Sequence, residues 1–323
     1  MRDASFVAGD WGTSHLRLFL CDSDGLVLDS GHGPGAADAG GRFASIFESQ
    51  LSPWQQRHGP LPAVLCGMVG SSIGWMQAPY VPCPALPEKI TAACVELRGG
   101  AVHIVPGVSC RNRFGAPDFM RGEETQILGA LSIAPGLRHG HHLLCLPGTH
   151  TKWVVLADGA VREFLTAPTG ELFALLRDHS VLLRDHSVLL RDRAEAGAVT
   201  GGGAFAEGLA QFNEFPRAQL LHRLFECRAR RLNSDLSPQA TSAYLSGLLI
   251  ASDIGGALPL LSAATGSRSV HLIGSPHLTQ LYATGLASHD YTASRLDGAT
   301  ASLAGLLQVH RLLTPRPVMN AAH

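Results

Sequence analysis

The chain has 323 residues, 46% hydrophobic and 16% charged, with a formal net charge of -1. That length fits two domains of ordinary size with substantial cores, and the composition excludes disorder. The near-zero charge offers no basic field for nucleic acid, and no apolar window in the sequence reads as approaching the ~18 residues a membrane span needs.

Residues 5–9, 15–21 and 25–31 read as strands joined by tight turns, the first turn holding Asp10-Trp11-Gly12-Thr13 and the second Asp22-Ser23-Asp24-Gly25. A helix is expected over 41–57, a buried strand over 63–69, an extended proline-rich segment over 78–87, a strand over 102–105 and a helix over 123–131. The opening pattern then returns. The apolar run from His142 ends in Gly148-Thr149-His150-Thr151-Lys152, and strands at 153–156 and 161–166 follow around Ala157-Asp158-Gly159. Two copies of strand, Gly-Thr turn, strand, turn, strand predict two similar half-molecules. The second half continues with helices at 169–192, 204–213, 217–230 and 238–255, a strand at 269–273, and helices at 277–287 and 298–312. Within it, LLRDHSVLLRDHSVLLRD at 175–192 repeats a seven-residue unit. Seven residues are close to two helical turns of about 3.6 residues, so this duplication lengthens a surface helix while nearly keeping its apolar face in register.

The chemistry concentrates in a few stretches. A Gly-Thr turn between strands presents backbone N–H groups and a hydroxyl to phosphate oxygens, and a neighbouring Asp can hold a hydrated magnesium ion. Asp10, Gly12 and Thr13 therefore read as one phosphate clamp with Asp10 as the metal residue, and Gly148, Thr149, Thr151 and Lys152 as a second. Lys152 is one of only two lysines, Lys89 being the other. No Walker or dinucleotide-binding glycine pattern is present. Gly70-Ser71-Ser72-Ile73-Gly74 matches the hydrolase pattern G-x-S-x-G, but the proline-rich continuation cannot supply the helix a nucleophile elbow requires. Gly70, Ser71, Ser72, Trp75 and Tyr80 suit a small hydroxylated ligand better. Glu123 and Glu124, ahead of an apolar helix, are candidates for a general base, with Asp118 a third; adjacent carboxylates cannot both point into one site. His139-Gly140-His141-His142 lacks the remaining ligands of a zinc site. Gly274-Ser275-Pro276 is a strand–helix junction where backbone can pass beneath a planar base, and Asp297 reads as a helix cap. The seven cysteines are widely spaced without a C-x-x-C pair, which indicates reduced thiols and a cytoplasmic protein.

Together these residues resemble a known family. AGDWGTSHLR is similar to the first phosphate loop of the sugar kinase, hsp70 and actin superfamily. GMVGSSIGWMQAPYVPCPA, MRGEETQILGAL, LPGTHTKW, TAPTGELFALLRDHSVL and IGSPHLTQLYATGL resemble the 2-dehydro-3-deoxygalactonokinase family. The resemblance implies an α/β fold with two ribonuclease-H-like domains of the actin-like ATPase type around a nucleotide cleft. The domains would be 1–120, with the sugar acid and the first phosphate loop, and 121–323, with the second loop and the adenosine side, the last helix being free to return to the N-terminal domain. It implies ATP and Mg2+ as cofactors and phosphorylation of 2-dehydro-3-deoxy-D-galactonate at its C6 hydroxyl in galactonate breakdown. The alternatives are a kinase for a related sugar acid and a non-catalytic sugar sensor of the same fold. Asp10, Gly12, Thr13, Gly148, Thr149 and Thr151 carry over as the phosphate loops, Gly274 as the adenosine-side glycine, and Glu123 or Glu124 as the catalytic acid. The implied partner is a small-molecule sugar acid, with no nucleic acid and no membrane; a homodimer is compatible with this. Two departures stand out: the family commonly has a larger polar residue, often Arg, where this chain has Ser72, and the duplicated heptad is extra.

Overall fold

The computed structural model describes residues 3–180, 182–183, 199, 201–214 and 220–314. The chain is α/β and divides into two compact units. Unit one comprises, among the described residues, the chain up to His141, Leu156–Phe164 and the segment from Leu296; unit two comprises His142–Val155 and Leu165–Arg295.

Unit one begins with β1 (Phe6–Trp11), β2 (His15–Cys21) and β3 (Val27–Pro34), followed by α1 (Phe43–His58) and β4 (Ala63–Gly67). The chain then forms β5 (Tyr80–Pro82), α2 (Pro87–Ala92), β6 (Val95–Leu97), β7 (Val102–Ile104), β8 (Gly107–Arg111), β9 (Pro117–Met120) and α3 (Glu123–Ile133). The main sheet has the order β3-β2-β1-β4-β7-β6, with β1, β4 and β7 parallel and the β1–β2–β3 meander antiparallel. The turns at 12–14 and 22–26 close that meander as the turn residues predict. β2 alternates, burying Leu16, Leu18 and Leu20. In α1, Phe43, Phe47, Leu51 and Trp54 recur at helical spacing and close one face of the sheet. A smaller sheet, β5-β8-β9, was not foreseen, nor were α2 and β6: these elements are short or bounded by prolines, so periodicity gives them no signal. The helix Gly298–Leu313 packs on α3 across a glycine contact. A Cβ on Gly129 would lie 1.8 Å from the Ala301 carbonyl oxygen, and one on Gly305 would lie 1.9 Å from that of Thr125.

The chain continues with β10 (His141–Leu146), β11 (Thr151–Ala157), β12 (Ala160–Ala167) and α4 (Thr169–His179), of which His141 and Leu156–Phe164 group with unit one and the rest with unit two. After these come α5 (Gly203–Glu214), α6 (Leu220–Leu232), α7 (Pro238–Leu261), β13 (Ser269–Gly274), α8 (Pro276–Ala287) and β14 (Thr292–Asp297), and the chain's last described helix is α9 (Gly298–Leu313). The sheet order β12-β11-β10-β13-β14, with β10 and β13 parallel, matches the arrangement of β3-β2-β1-β4-β7 in unit one. The repeat expected from two Gly-Thr turns is thus a repeat of topology. β14 escapes a hydrophobic reading because Thr292, Ser294 and Arg295 leave it no apolar alternation. The helix expected over 169–192 is described for Thr169–His179; beyond it the duplicated heptad lies outside the described residues except for Ser180 and 182–183. Asp297 caps α9, its Oδ1 accepting the Thr300 N–H at 2.8 Å.

One expectation is overturned. α7 lies in a segment, Pro238–Ala264, of mean hydropathy 1.5, long and apolar enough to cross a membrane by length and composition. Its residues from Thr241 to Leu261 form the centre of unit two's core, against Phe205, Leu209, Cys227, Leu281 and Tyr282. A helix surrounded by protein is apolar on most of its circumference, which accounts for its composition.

Candidate active site

In unit one, Asp10 is the next-to-last residue of the central strand β1, opposite Arg17 on β2. Arg17 Nη2 donates to Asp10 Oδ2 at 2.6 Å, and Oδ1 has no hydrogen bond among the described residues. Trp11 anchors the turn that follows. Its ring is fully buried 5.0 Å from that of Phe43, and its Nε1–H donates to the Pro34 carbonyl at 3.1 Å. The Gly12 and Thr13 carbonyls accept N–H bonds from Ala36 and Ala37 at 2.9 and 3.1 Å, and Gly12 N–H donates to His15 O at 2.9 Å. Gly35 passes so close that a Cβ would meet the Thr13 oxygen at 2.2 Å. The turn is therefore clamped through its carbonyls, and the Thr13 hydroxyl stays exposed.

The end of the neighbouring strand β4 is Gly67, held at φ +89°, where a Cβ would lie 2.8 Å from the Trp11 oxygen and 3.6 Å from Asp10 Oδ1. Gly122 packs against Gly67 Cα and leads into α3. This brings Glu123 and Glu124 to the same end of the sheet as Asp10, and it treats the two differently. Glu124 is wholly buried; its Oε2 accepts Gly122 N–H at 2.7 Å and its Oε1 accepts the Thr125 hydroxyl at 3.0 Å. Burial first, and the neighbouring Glu123 charge second, push its carboxyl up to about 8, so it holds its proton at neutral pH. Glu123 is half-buried, with Oε2 accepting Arg121 N–H at 3.0 Å. Asp118 lies on β9, where it accepts bonds from Phe119 N–H and Asn112, a local role.

After β4 the chain makes a single turn at Met68–Gly70 and then runs to β5 without helix or strand. The helix that a nucleophile elbow needs after Ser72 is absent from this described stretch. Ser71 is buried, donating to the Met68 carbonyl at 2.7 Å, whereas Ser72 is exposed. Trp75 rests on Phe47 at 5.5 Å and carries the Arg98 guanidinium at 5.3 Å, so this ring belongs partly to the core. Tyr80 is 39% exposed, edge-on to Phe119, and Ile73 and Met76 are exposed beside it in sequence.

In unit two, the second Gly-Thr turn links β10 to β11 and is braced by the start of α4. Glu171 N–H donates to Thr149 O at 2.9 Å, Glu171 Oε2 pairs with His150 Nε2 at 2.8 Å, and a Cβ on Gly170 would lie 2.3 Å from the Gly148 oxygen. Thr149 is exposed, but Thr151 is buried, its hydroxyl 2.9 Å from that of Tyr282. Tyr282 in turn donates to Asp253 at 2.5 Å, which also accepts bonds from Trp153 Nε1 and the Thr169 hydroxyl at 2.8 Å each. Burial raises the Asp253 carboxyl's pKa while those donors oppose the shift. Thr151 thus supports the turn from behind. Lys152 also points inward, 5% exposed, with Nζ donating to the Thr166 hydroxyl at 2.9 Å. Gly274 ends β13 against the turn itself: a Cβ would lie 3.2 Å from the Pro147 oxygen. Ser275 caps α8 by accepting Leu278 N–H.

Beside the turn is a cavity of about 230 Å³ whose walls include Gly148, Phe173, Arg177, Ser246, His277 and Leu278. Sequence reasoning did not single out Phe173, Arg177, Ser246 or His277. They come from α4, α7 and α8 and meet only in three dimensions, though Phe173, Arg177 and His277 stand in stretches that carry the family resemblance.

The profile of the 2-keto-3-deoxy-galactonokinase family matches residues 10–309. The chain belongs to this family. A relative from Rhizobium meliloti (strain 1021), named a probable 2-dehydro-3-deoxygalactonokinase, is 38% identical over 317 residues, covering 96% of this chain and 98% of the relative. The 2-dehydro-3-deoxygalactonokinase of Escherichia coli (strain K12) is 29% identical over 95% of this chain and 97% of its own. A crystal structure from Sinorhizobium meliloti, provisionally named for the same activity, superposes with a TM-score of 0.83 at 37% identity, over 96% of this chain and all of that one. Membership of the 2-keto-3-deoxy-galactonokinase family thus extends over both units, and the α/β fold with two sheet-based halves is the family's.

Proposed function

We propose that this protein is a carbohydrate kinase that transfers the γ-phosphoryl group of ATP to the C6 hydroxyl of 2-dehydro-3-deoxy-D-galactonate, in the cytoplasm, as a step of galactonate breakdown. The observation that carries the reading is the family match from Asp10 to Val309, which spans both Gly-Thr turns. Phosphoryl transfer asks mainly for positioning and charge neutralisation. The turn at Gly12 and Thr13, whose Gly12 N–H is taken by His15 O, offers the Thr13 N–H and hydroxyl to phosphate, and the exposed Thr149 hydroxyl is the corresponding group of the turn in unit two. Magnesium takes few protein ligands and keeps most of its waters, and Asp10, with one oxygen uncommitted, fits that demand. Bound there, the ion would neutralise phosphate charge. Lys152 and Thr151 support their turn from inside and are not assigned phosphate contacts.

The pair Glu123–Glu124 suits a general base at position 123. Burial takes Glu124 out of that role, which leaves the half-buried Glu123 as the carboxyl of the pair placed to accept the hydroxyl proton. The cavity beside Gly148 suits a nucleoside, with Phe173 and Leu278 as apolar walls and Arg177, Ser246 and His277 as polar contacts. The Gly70–Tyr80 loop is assigned to the sugar acid.

The test is ADP release with magnesium-ATP and a panel of sugar acids including both C4 epimers of the substrate. Selective turnover of the galacto epimer is expected. Asp10→Ala should abolish turnover and leave the thermal transition in place; wild-type rates in that variant would remove Asp10 from the mechanism. ATP binding without turnover of any acid would favour a sensor.

A further inference from the structure

Arg121 occupies an unusual position in unit one. Its guanidinium lies over the Tyr80 ring, 4.4 Å from the centroid, and Nη2 donates to the Ala78 carbonyl at 2.7 Å. Nε and Nη1 are shut off from water and meet no acceptor. Gly70 makes room for the group: a Cβ there would lie 2.8 Å from Nη1. The side chain is therefore held by both ends of the Gly70–Tyr80 loop, with N–H groups on two of its three nitrogens unused.

Leaving donors of a cation buried and unpaired is costly, because desolvation is not repaid by a hydrogen bond. Folding alone does not explain why the chain keeps an arginine here, where an apolar residue would pack without that cost. A ligand anion does. An unpaired guanidinium N–H is a strong donor to a carboxylate oxygen, and the exposed part of the Tyr80 ring, over which the guanidinium lies, suits a carbon skeleton. Glu123, which accepts the Arg121 backbone N–H, places the candidate base two residues away.

We infer that Arg121 is the residue that recognises the carboxylate of the acceptor substrate. This deepens the kinase reading and rests on it. The unused N–H of Nη1 pairs with a C1 carboxylate oxygen of the acid, while Tyr80 holds the guanidinium plane. Selectivity for a sugar acid over the corresponding neutral sugar then resides in this one side chain.

The experiment compares wild type, Arg121→Gln and Arg121→Lys on the sugar acid and on its neutral C1 amide, with magnesium-ATP. Removing one partner of a buried charge pair predicts a rise in KM for the acid of roughly 30-fold or more in Arg121→Gln. KM for ATP should stay within about twofold, and the amide should be used equally well by wild type and variant. Arg121→Lys should recover part of the loss, since it keeps the charge without the planar fork. Thermal midpoints of all three proteins are recorded alongside. Equal losses on acid and amide, or an unchanged KM for the acid, would overturn the assignment and leave Arg121 as a clamp for its loop. If wild type turns over no sugar acid, the kinase reading itself falls, and this assignment with it.

Discussion

Glu124 offers a quantitative test of the site's electrostatics. The structure places its carboxyl where burial and the adjacent Glu123 raise it from 4.5 to about 8. The native state therefore keeps a proton that the unfolded chain releases as pH rises above 4.5. Stability supplied by the neutral acid is fully present below that value and is lost progressively as pH climbs to about 8. Each unit in that window costs about 1.4 kcal/mol, so the loss by pH 8 is on the order of 4 kcal/mol. Glu124→Gln imitates the protonated acid, since the amide oxygen can accept Gly122 N–H and the amide nitrogen can donate to Thr125. The variant should match wild type near pH 5 and exceed it increasingly toward pH 8, with the gap level above that. Urea unfolding at a series of pH values, followed by fluorescence, reads this directly, because three of the four tryptophans lie in unit one. Parallel stability curves for the two proteins from pH 5 to 9 would show that Glu124 is ionised in the fold, and the argument that burial sets it apart from Glu123 would fail.

Two further substitutions probe unit two. Gly170→Ala forces a methyl into the Gly148 carbonyl, a backbone group that cannot swing aside; about 1–3 kcal/mol of destabilisation is expected, with a raised KM for ATP and little change in KM for the sugar acid. Tyr282→Phe removes the hydroxyl shared by Thr151 and Asp253 and should cost about 1–3 kcal/mol in denaturant unfolding. An unaltered unfolding midpoint in Tyr282→Phe would mean that the remaining bonds from Trp153 and Thr169 suffice for Asp253.

The sequence by itself determined the local chemistry. Asp10-Trp11-Gly12-Thr13 and Gly148-Thr149 announce turns because glycine and hydroxyl residues interrupt apolar runs, and the meanders around them follow from alternation that needs no distant partner. The helices with apolar faces were legible for the same reason, as was the cap at Asp297. Tertiary structure decided what spacing cannot encode. Burial separates Glu124 from Glu123 and turns Lys152 and Thr151 inward, since solvent access depends on elements far away in sequence. Four residues on three helices meet at the cavity beside Gly148 only after packing. The apolar run of α7 is a core helix because protein surrounds it, a fact its composition does not contain. Arg121 reads in sequence as one more arginine, and only the packing against Gly70, Ala78 and Tyr80 binds its Nη2 to a carbonyl and leaves Nε and Nη1 buried without a partner.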